Sequence, residues 1–205
     1  EAHRRVDDAL RQYRLAWLSL PPSLASCSPL VGLLARLRRW TEAVEVLEAV
    51  AQRSKESDDR LRAGLHAAQL LLDRCRDPEA SLARARRVAA ELGGLRRAEA
   101  EQAYGASEER LYREALALVA QAASLALRWD EALRALTELV ELEEEDSREA
   151  HGSESLARYL YALGRVLRDG RGLREEAAAV FYRSLEEGPG QANAALALAR
   201  QFWLE

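Results

Sequence analysis

Three histidines, two cysteines and a short acidic run are the side chains that could move protons or hold a metal. Their spacing supports neither task. His3, His66 and His151 are scattered, with no companion at the interval a metal site needs. Cys27 and Cys75 stand far apart with no Cys-x-x-Cys pairing, so they read as buried or incidental thiols of a reducing compartment. Glu143-Glu144-Glu145-Asp146 could attract a cation, but consecutive carboxylates at a helix end more often face water, and there they oppose the helix dipole. Gly170-Arg171-Gly172 could cradle a phosphate ahead of a helix; without a preceding strand it reads instead as a turn. No Gly-x-x-x-x-Gly-Lys loop, Gly-x-Gly-x-x-Gly turn or Gly-x-Ser-x-Gly elbow occurs. The chain is therefore expected to be non-enzymatic, with no catalytic residue, cofactor or metal.

Arginines supply the remaining chemistry. Arg158, Tyr161, Arg165 and Arg168 recur at intervals of three and four, which places all of them on one face of a helix. That face could select an acidic or carboxylate-bearing partner; equally, it could be a solvated face paired with Glu141 to Glu145. A second cluster, Arg84, Arg86, Arg87, Arg96 and Arg97, flanks Gly93-Gly94. It lacks interleaved aromatics, and the chain carries a net charge of −4, so nucleic-acid binding is not expected.

The elements that must position these residues are helices. Isoleucine is absent and threonine occurs only as Thr41 and Thr137, which leaves little β-branched material for a sheet. Alanine, leucine, arginine and glutamate dominate, all strong helix formers. Apolar periodicity marks about ten helices. The first spans about 2–19 with Val6, Leu10, Tyr13 and Trp17 as its stripe, and Pro21-Pro22 stops it. A short helix follows from Leu30 to Leu37, and the next starts with Thr41 as its cap and carries Val44, Leu47 and Val50. Lys55 to Asp59 breaks the pattern before Leu61–Leu72. Asp77-Pro78-Glu79 is a strong helix start, and Gly93-Gly94 ends that helix. Leu111–Leu125 and Leu133–Val140 come next, the latter dissolving in the acidic run. Ser153–Leu167 and Ala177–Leu185 follow, the latter breaking at Gly188-Pro189-Gly190. A last helix, about 192–203, looks like a cap.

One phrase recurs: Arg39-Trp40-Thr41-Glu42-Ala43-Val44 is answered by Arg128-Trp129-Asp130-Glu131-Ala132-Leu133, and Leu173 to Ala178 keeps its Glu-Ala core. Repetition at tens of residues is the signature of a helical repeat array. The two tryptophans, Trp40 and Trp129, are read as packing aromatics of the inter-helix turn.

In the last unit the pattern resembles the tetratricopeptide repeat. Leu163-Gly164 falls at its large–small pair, Ala177 and Phe181 at its small and bulky positions on the second helix, and Pro189 at its closing proline. The pairs Ala43/Leu47 and Ala132/Leu136 match more loosely, and the unit around Ala68 and Ala80 is poorer. An extra residue falls in the Gly170–Gly172 turn, and the repeats are long and irregular, like those of bacterial transcriptional activators and signalling ATPases. The resemblance covers 30–189 and implies one right-handed α-solenoid of stacked antiparallel helix pairs over 1–205. It also implies a scaffold that binds a protein or peptide in a concave groove. The alternative is the sensor or regulatory domain of a larger bacterial protein. A degenerate HEAT-like array is the competing architecture. The lysine/asparagine clamp of some co-chaperone repeats is not visible.

Poverty in lysine and asparagine points to a high-G+C, bacterial genome, and the absence of methionine predicts a piece of a longer protein. No apolar run is long enough to span a bilayer and no export signal is visible, so membrane insertion is not expected and a cytoplasmic location is.

Overall fold

Helix-forming residues with helical apolar spacing give helices throughout the described parts of the chain. A computed structural model describes residues 2–98, 105–146, 154–188 and 192–203, with the side chains of 2–6, 98 and 201–203 left aside. Among the described residues there is no strand. The helices are α1 (Ala2–Ser19), α2 (Leu24–Arg36), α3 (Trp40–Arg53), α4 (Ser57–Asp73) and α5 (Pro78–Ala98), then α6 (Ala106–Leu125), α7 (Trp129–Asp146), α8 (Glu154–Arg165), α9 (Arg174–Glu187) and α10 (Ala192–Trp203). A five-residue π-helical turn, Val166–Gly170, prolongs α8. The chain divides into two compact units, 1–118 and 119–205.

In the first unit α1 packs on α2, α2 on α3, α3 on α4 and α4 on α5. Cys27, Leu30, Leu34, Ala43, Leu47, Val50, Ala63 and Ala67 form its main core, with Leu10 reaching in from α1. In the second unit α7 packs on α8, α8 on α9 and α9 on α10, around Leu156, Leu160, Ala177 and Phe181.

One local design joins the helices of each hairpin. Arg38, Arg76, Leu127 and Gly172 all have left-handed backbones, with φ of 57°, 57°, 58° and 69°. Each stands two residues before the first residue of the next helix. A left-handed residue reverses the chain and lets the following N–H groups close on the last carbonyls of the outgoing helix. Two closures are tight: Arg39 N donates to Leu34 O at 2.9 Å and Arg128 N to Ala123 O at 2.8 Å. The other two are one residue wider: Asp77 N reaches Leu71 O at 2.9 Å and Leu173 N reaches Leu167 O at 3.0 Å. The Arg-Trp phrase belongs to the tight turns alone.

Beyond these turns α3, α5, α7 and α9 share one register. Their fourth residues are Ala43, Ser81, Ala132 and Ala177, all fully buried; their eighth are Leu47, Ala85, Leu136 and Phe181; their eleventh are Val50, Val88, Leu139 and Ser184. Positions four, eight and eleven lie on one helix face, and that face is the buried one in all four. Ser81, not Ala80, thus holds the small-residue place in the second hairpin. A serine followed by an alanine at the bulky position is why that unit matches poorly by sequence.

Several boundaries differ from expectation, each for a local reason. α2 starts at Leu24, six residues early, because Ser23 and Ser26 form a reciprocal capping box. Pro29 then lies inside the helix, where the carbonyl it leaves unbonded belongs to exposed Ala25. Thr41 is not the cap of α3: the cap position is Arg39, whose side chain pairs with Glu42. Asp58 and Asp59 belong to the first turn of α4, where carboxylates suit the positive end of the dipole. Asp77 does cap α5, accepting from Ala80 N at 2.9 Å. α5 runs on through Gly93-Gly94 to Ala98. Gly93 admits a neighbour rather than ending the helix, since a methyl group there would stand 3.2 Å from the Tyr112 hydroxyl. α7 keeps its helix through the acidic run to Asp146, with Glu144 held by Arg183 from α9. Pro189 and Gly190 lie outside the described residues.

The two recurring tryptophans do equivalent work within their own units. Each opens the second helix of a hairpin and reaches the end of the next first helix. Arg74, at the close of α4, lies over the Trp40 ring at 5.3 Å. Gly170, at the close of the π turn, lies so near the Trp129 indole that a side chain there would collide with it. Arg171 adds an ion pair to Asp130 beside it.

Candidate functional site

Of the four residues singled out by spacing, Arg158, Tyr161 and Arg165 lie on α8, and Arg168 lies in the π turn that follows it. α8 ends at Arg165, and the winding widens over Val166–Gly170. The extra residue expected in the Gly170–Gly172 turn is taken up here, inside the helix.

Arg158 and Arg165 are exposed, two helical turns apart. Two turns of helix separate their backbones by about 10 Å. Arg158 donates to Ser155 Oγ at 3.3 Å within its own helix. Tyr161, half-buried between them, turns its ring to Phe181 of α9, with centroids 5.8 Å apart and planes at 41°. Arg168 lies over the opposite partner of that stack, its guanidinium 5.6 Å from the Phe181 ring centroid. Phe181 is fully buried. It fits because Gly164 has no side chain: a methyl group there would come within 2.6 Å of the ring. The large–small pairing of the sequence reading is thus a direct contact between α8 and α9.

Asp169 organises the charges. Arg168 grips it with two bonds, Nε to Oδ1 at 2.7 Å and a terminal nitrogen to Oδ2 at 3.2 Å, and Arg165 approaches at 3.8 Å. The hydrogen bond from Arg168 holds the Asp169 carboxyl below its ordinary range. Glu141 to Glu145 were the expected acidic neighbours, and Asp169 takes that place for Arg165 and Arg168. Sequence reading missed Asp169, although it stands four residues after Arg165, the interval at which a helix brings side chains together. One carboxylate is thus shared by two guanidiniums, while Arg158 bonds within α8.

The other candidates are dispersed. Arg84 pairs with Glu48 at 2.5 Å and Arg96 with Glu109 at 3.7 Å, whereas Arg86 and Arg87 are exposed on α5. Arg84 and Arg96 thus bridge α5 to neighbouring helices. His66 is exposed on α4, the His3 side chain and His151 lie outside the described residues, and among the described residues no three metal-binding groups converge. Cys27 is buried and Cys75 half-buried, both as free thiols; burial raises the Cys27 thiol above its usual range. Gly172 supplies a left-handed turn and Gly170 a seat for Trp129, which accounts for the glycines of the phosphate-cradle reading. No described helix is long and apolar enough to cross a membrane. No protein-family model matches the chain, and no curated protein matches its sequence.

Proposed function

We propose that the chain is a non-enzymatic, tetratricopeptide-like scaffold that takes a protein or peptide partner across the exposed face of α8. The supporting observation is the shared register of the four hairpins. The buried faces are alike, so the hairpins differ chiefly in what their exposed rows present. Such division of labour suits a repeat scaffold, whose frame is repeated and whose recognition is not. On α8 the exposed row carries Arg158 and Arg165 beside Tyr161, which favours a partner with carboxylates about 10 Å apart.

A photoreactive amino acid placed at position 165 should give a discrete adduct with the partner, and one at exposed position 179 on α9 should not. Reversing both charges with Arg158→Glu and Arg165→Glu should weaken the interaction at least tenfold. Equal adducts from both positions, or an affinity untouched by the reversal, would remove α8 as the binding face.

A further inference from the structure

Two of the α5 arginines, Arg84 and Arg87, border a cleft of about 50 Å³ between α3, α4 and α5 in the first unit. Its floor is apolar, with Leu61 and Val88 both buried there. Gly64 brings α4 close beneath it, since a methyl group at that position would stand 2.9 Å from Val88 Cγ2. Two ion pairs border the mouth. Arg84 donates to Glu48 Oε1 from Nε at 2.7 Å and from a terminal nitrogen at 2.5 Å, which joins α5 to α3. Arg60 reaches Glu91 Oε1 at 3.3 Å and joins α4 to α5. Arg84 and Glu91 are two helical turns apart, so these pairs stand about 10 Å from one another along α5.

Arg87 lies between them on the same side of α5, three residues after Arg84 and four before Glu91. It lines the cleft, and unlike Arg60 and Arg84 it has no ion pair or hydrogen bond among the described residues. A guanidinium keeps its charge at any ordinary pH, and its planar fork of donors matches a carboxylate. The rest of the rim narrows the choice of anion. Three arginines face two glutamates around the cleft, which leaves one positive charge and suits a monoanion better than a phosphate dianion or a dicarboxylate. Size narrows it again. A water-sized group needs about 10–15 Å³, so about three to five non-hydrogen atoms fit: a carboxylate on a short alkyl stem.

We propose that the α3–α4–α5 cleft binds a small monocarboxylic acid as its anion, with the carboxylate on the Arg87 guanidinium and the alkyl stem against Leu61 and Val88. The site is independent of the α8 face, and either can fail without the other.

The test titrates the full chain, labelled with nitrogen-15, with propionate and with propionamide at constant ionic strength. The two probes match in size and differ in charge. Propionate should shift the backbone amide signals of Gly64 and Val88 saturably, and bind about fivefold more tightly than propionamide, the gain of a charge-assisted pair at a partly open site. Arg87→Gln should bring the two affinities together, and Arg87→Lys, which keeps the charge without the fork, should fall between. Arg86→Gln removes the same charge one residue away, outside the cleft lining, and should leave propionate binding unchanged. No saturable shift, equal binding of the two probes, a propionate preference that survives Arg87→Gln, or an equal loss in Arg86→Gln would each overturn the proposal.

Discussion

Gly164→Ala sets two effects of known sign against each other. Alanine is the better helix former, worth about 0.8–1 kcal/mol over glycine in a helix interior. Against this, the added methyl would stand 2.6, 2.7 and 3.0 Å from three carbons of the Phe181 ring. Normal contact is about 3.5–4 Å, so three overlaps must be relieved together. The ring has little room to withdraw. It is fully buried, stacked by Tyr161 and covered by the Arg168 guanidinium. Overpacking a fixed core costs about 1–3 kcal/mol. The clash should win, leaving Gly164→Ala about 1–2 kcal/mol less stable than wild type by urea titration followed by circular dichroism. Gly94→Ala is the reference, because no atom lies within 4 Å of a methyl group built there. It should gain roughly 0.5–1 kcal/mol from propensity alone. Phe181→Leu combined with Gly164→Ala should recover part of the loss, since a smaller side chain clears the added methyl. If Gly164→Ala matched or exceeded wild type while Gly94→Ala behaved as stated, the Gly164–Phe181 contact would not be what joins α8 to α9.

Two further substitutions probe polar groups. Ser81→Ala should stabilise the chain by about 1 kcal/mol in the same titration: the Ser81 hydroxyl is buried without a partner, and alanine fills that register place in the other three hairpins. A loss of stability would mean that the hydroxyl has a function the register does not reveal. Asp169→Asn should cost under about 1 kcal/mol at pH 7, because the pair with Arg168 is partly exposed. The folded-state carboxyl is held below its ordinary value, so its contribution is present above pH 4 and is lost as pH falls through the lowered value. Urea midpoints of wild type and Asp169→Asn should therefore differ near neutrality and converge below pH 4; a gap that widened on acidification would reverse the assignment.

Helix content was legible because it rests on composition and period, which the chain states many times over. Boundaries were less so where one residue type serves two purposes. Glycine is the clearest case. Gly93 and Gly94 read as a stop, yet Gly93 accommodates Tyr112 within a continuous helix, and Gly164 accommodates Phe181. Local sequence cannot separate a glycine that ends a helix from one that admits a distant ring. Aspartates at 58 and 59 posed the same ambiguity between breaking a helix and beginning one, resolved only by where the apolar face resumes. The end of α8 was illegible for a related reason: intervals of three and four assume uniform winding, and the π turn after Arg165 departs from it.

The four turns share one backbone conformation although their sequences differ. Arg38, Arg76 and Leu127 occupy a left-handed conformation that disfavours any residue with a Cβ, by about 1 kcal/mol or more each. Only Gly172 is free of that cost. A conformation retained at four turns, three of them unfavourable to their own residue, is imposed by the helices it joins rather than chosen by local sequence. The buried fourth, eighth and eleventh residues of α3, α5, α7 and α9 must face inward, and the left-handed residue two places before each helix sets that phase. Single extra residues are absorbed nearby, by a wider closure at Asp77 and by the π turn before Gly172. The sequence therefore keeps the phase of its second helices and lets the distance between them drift. That is why an Arg-Trp phrase immediately after a left-handed residue recurs nearly intact while the intervals around it do not.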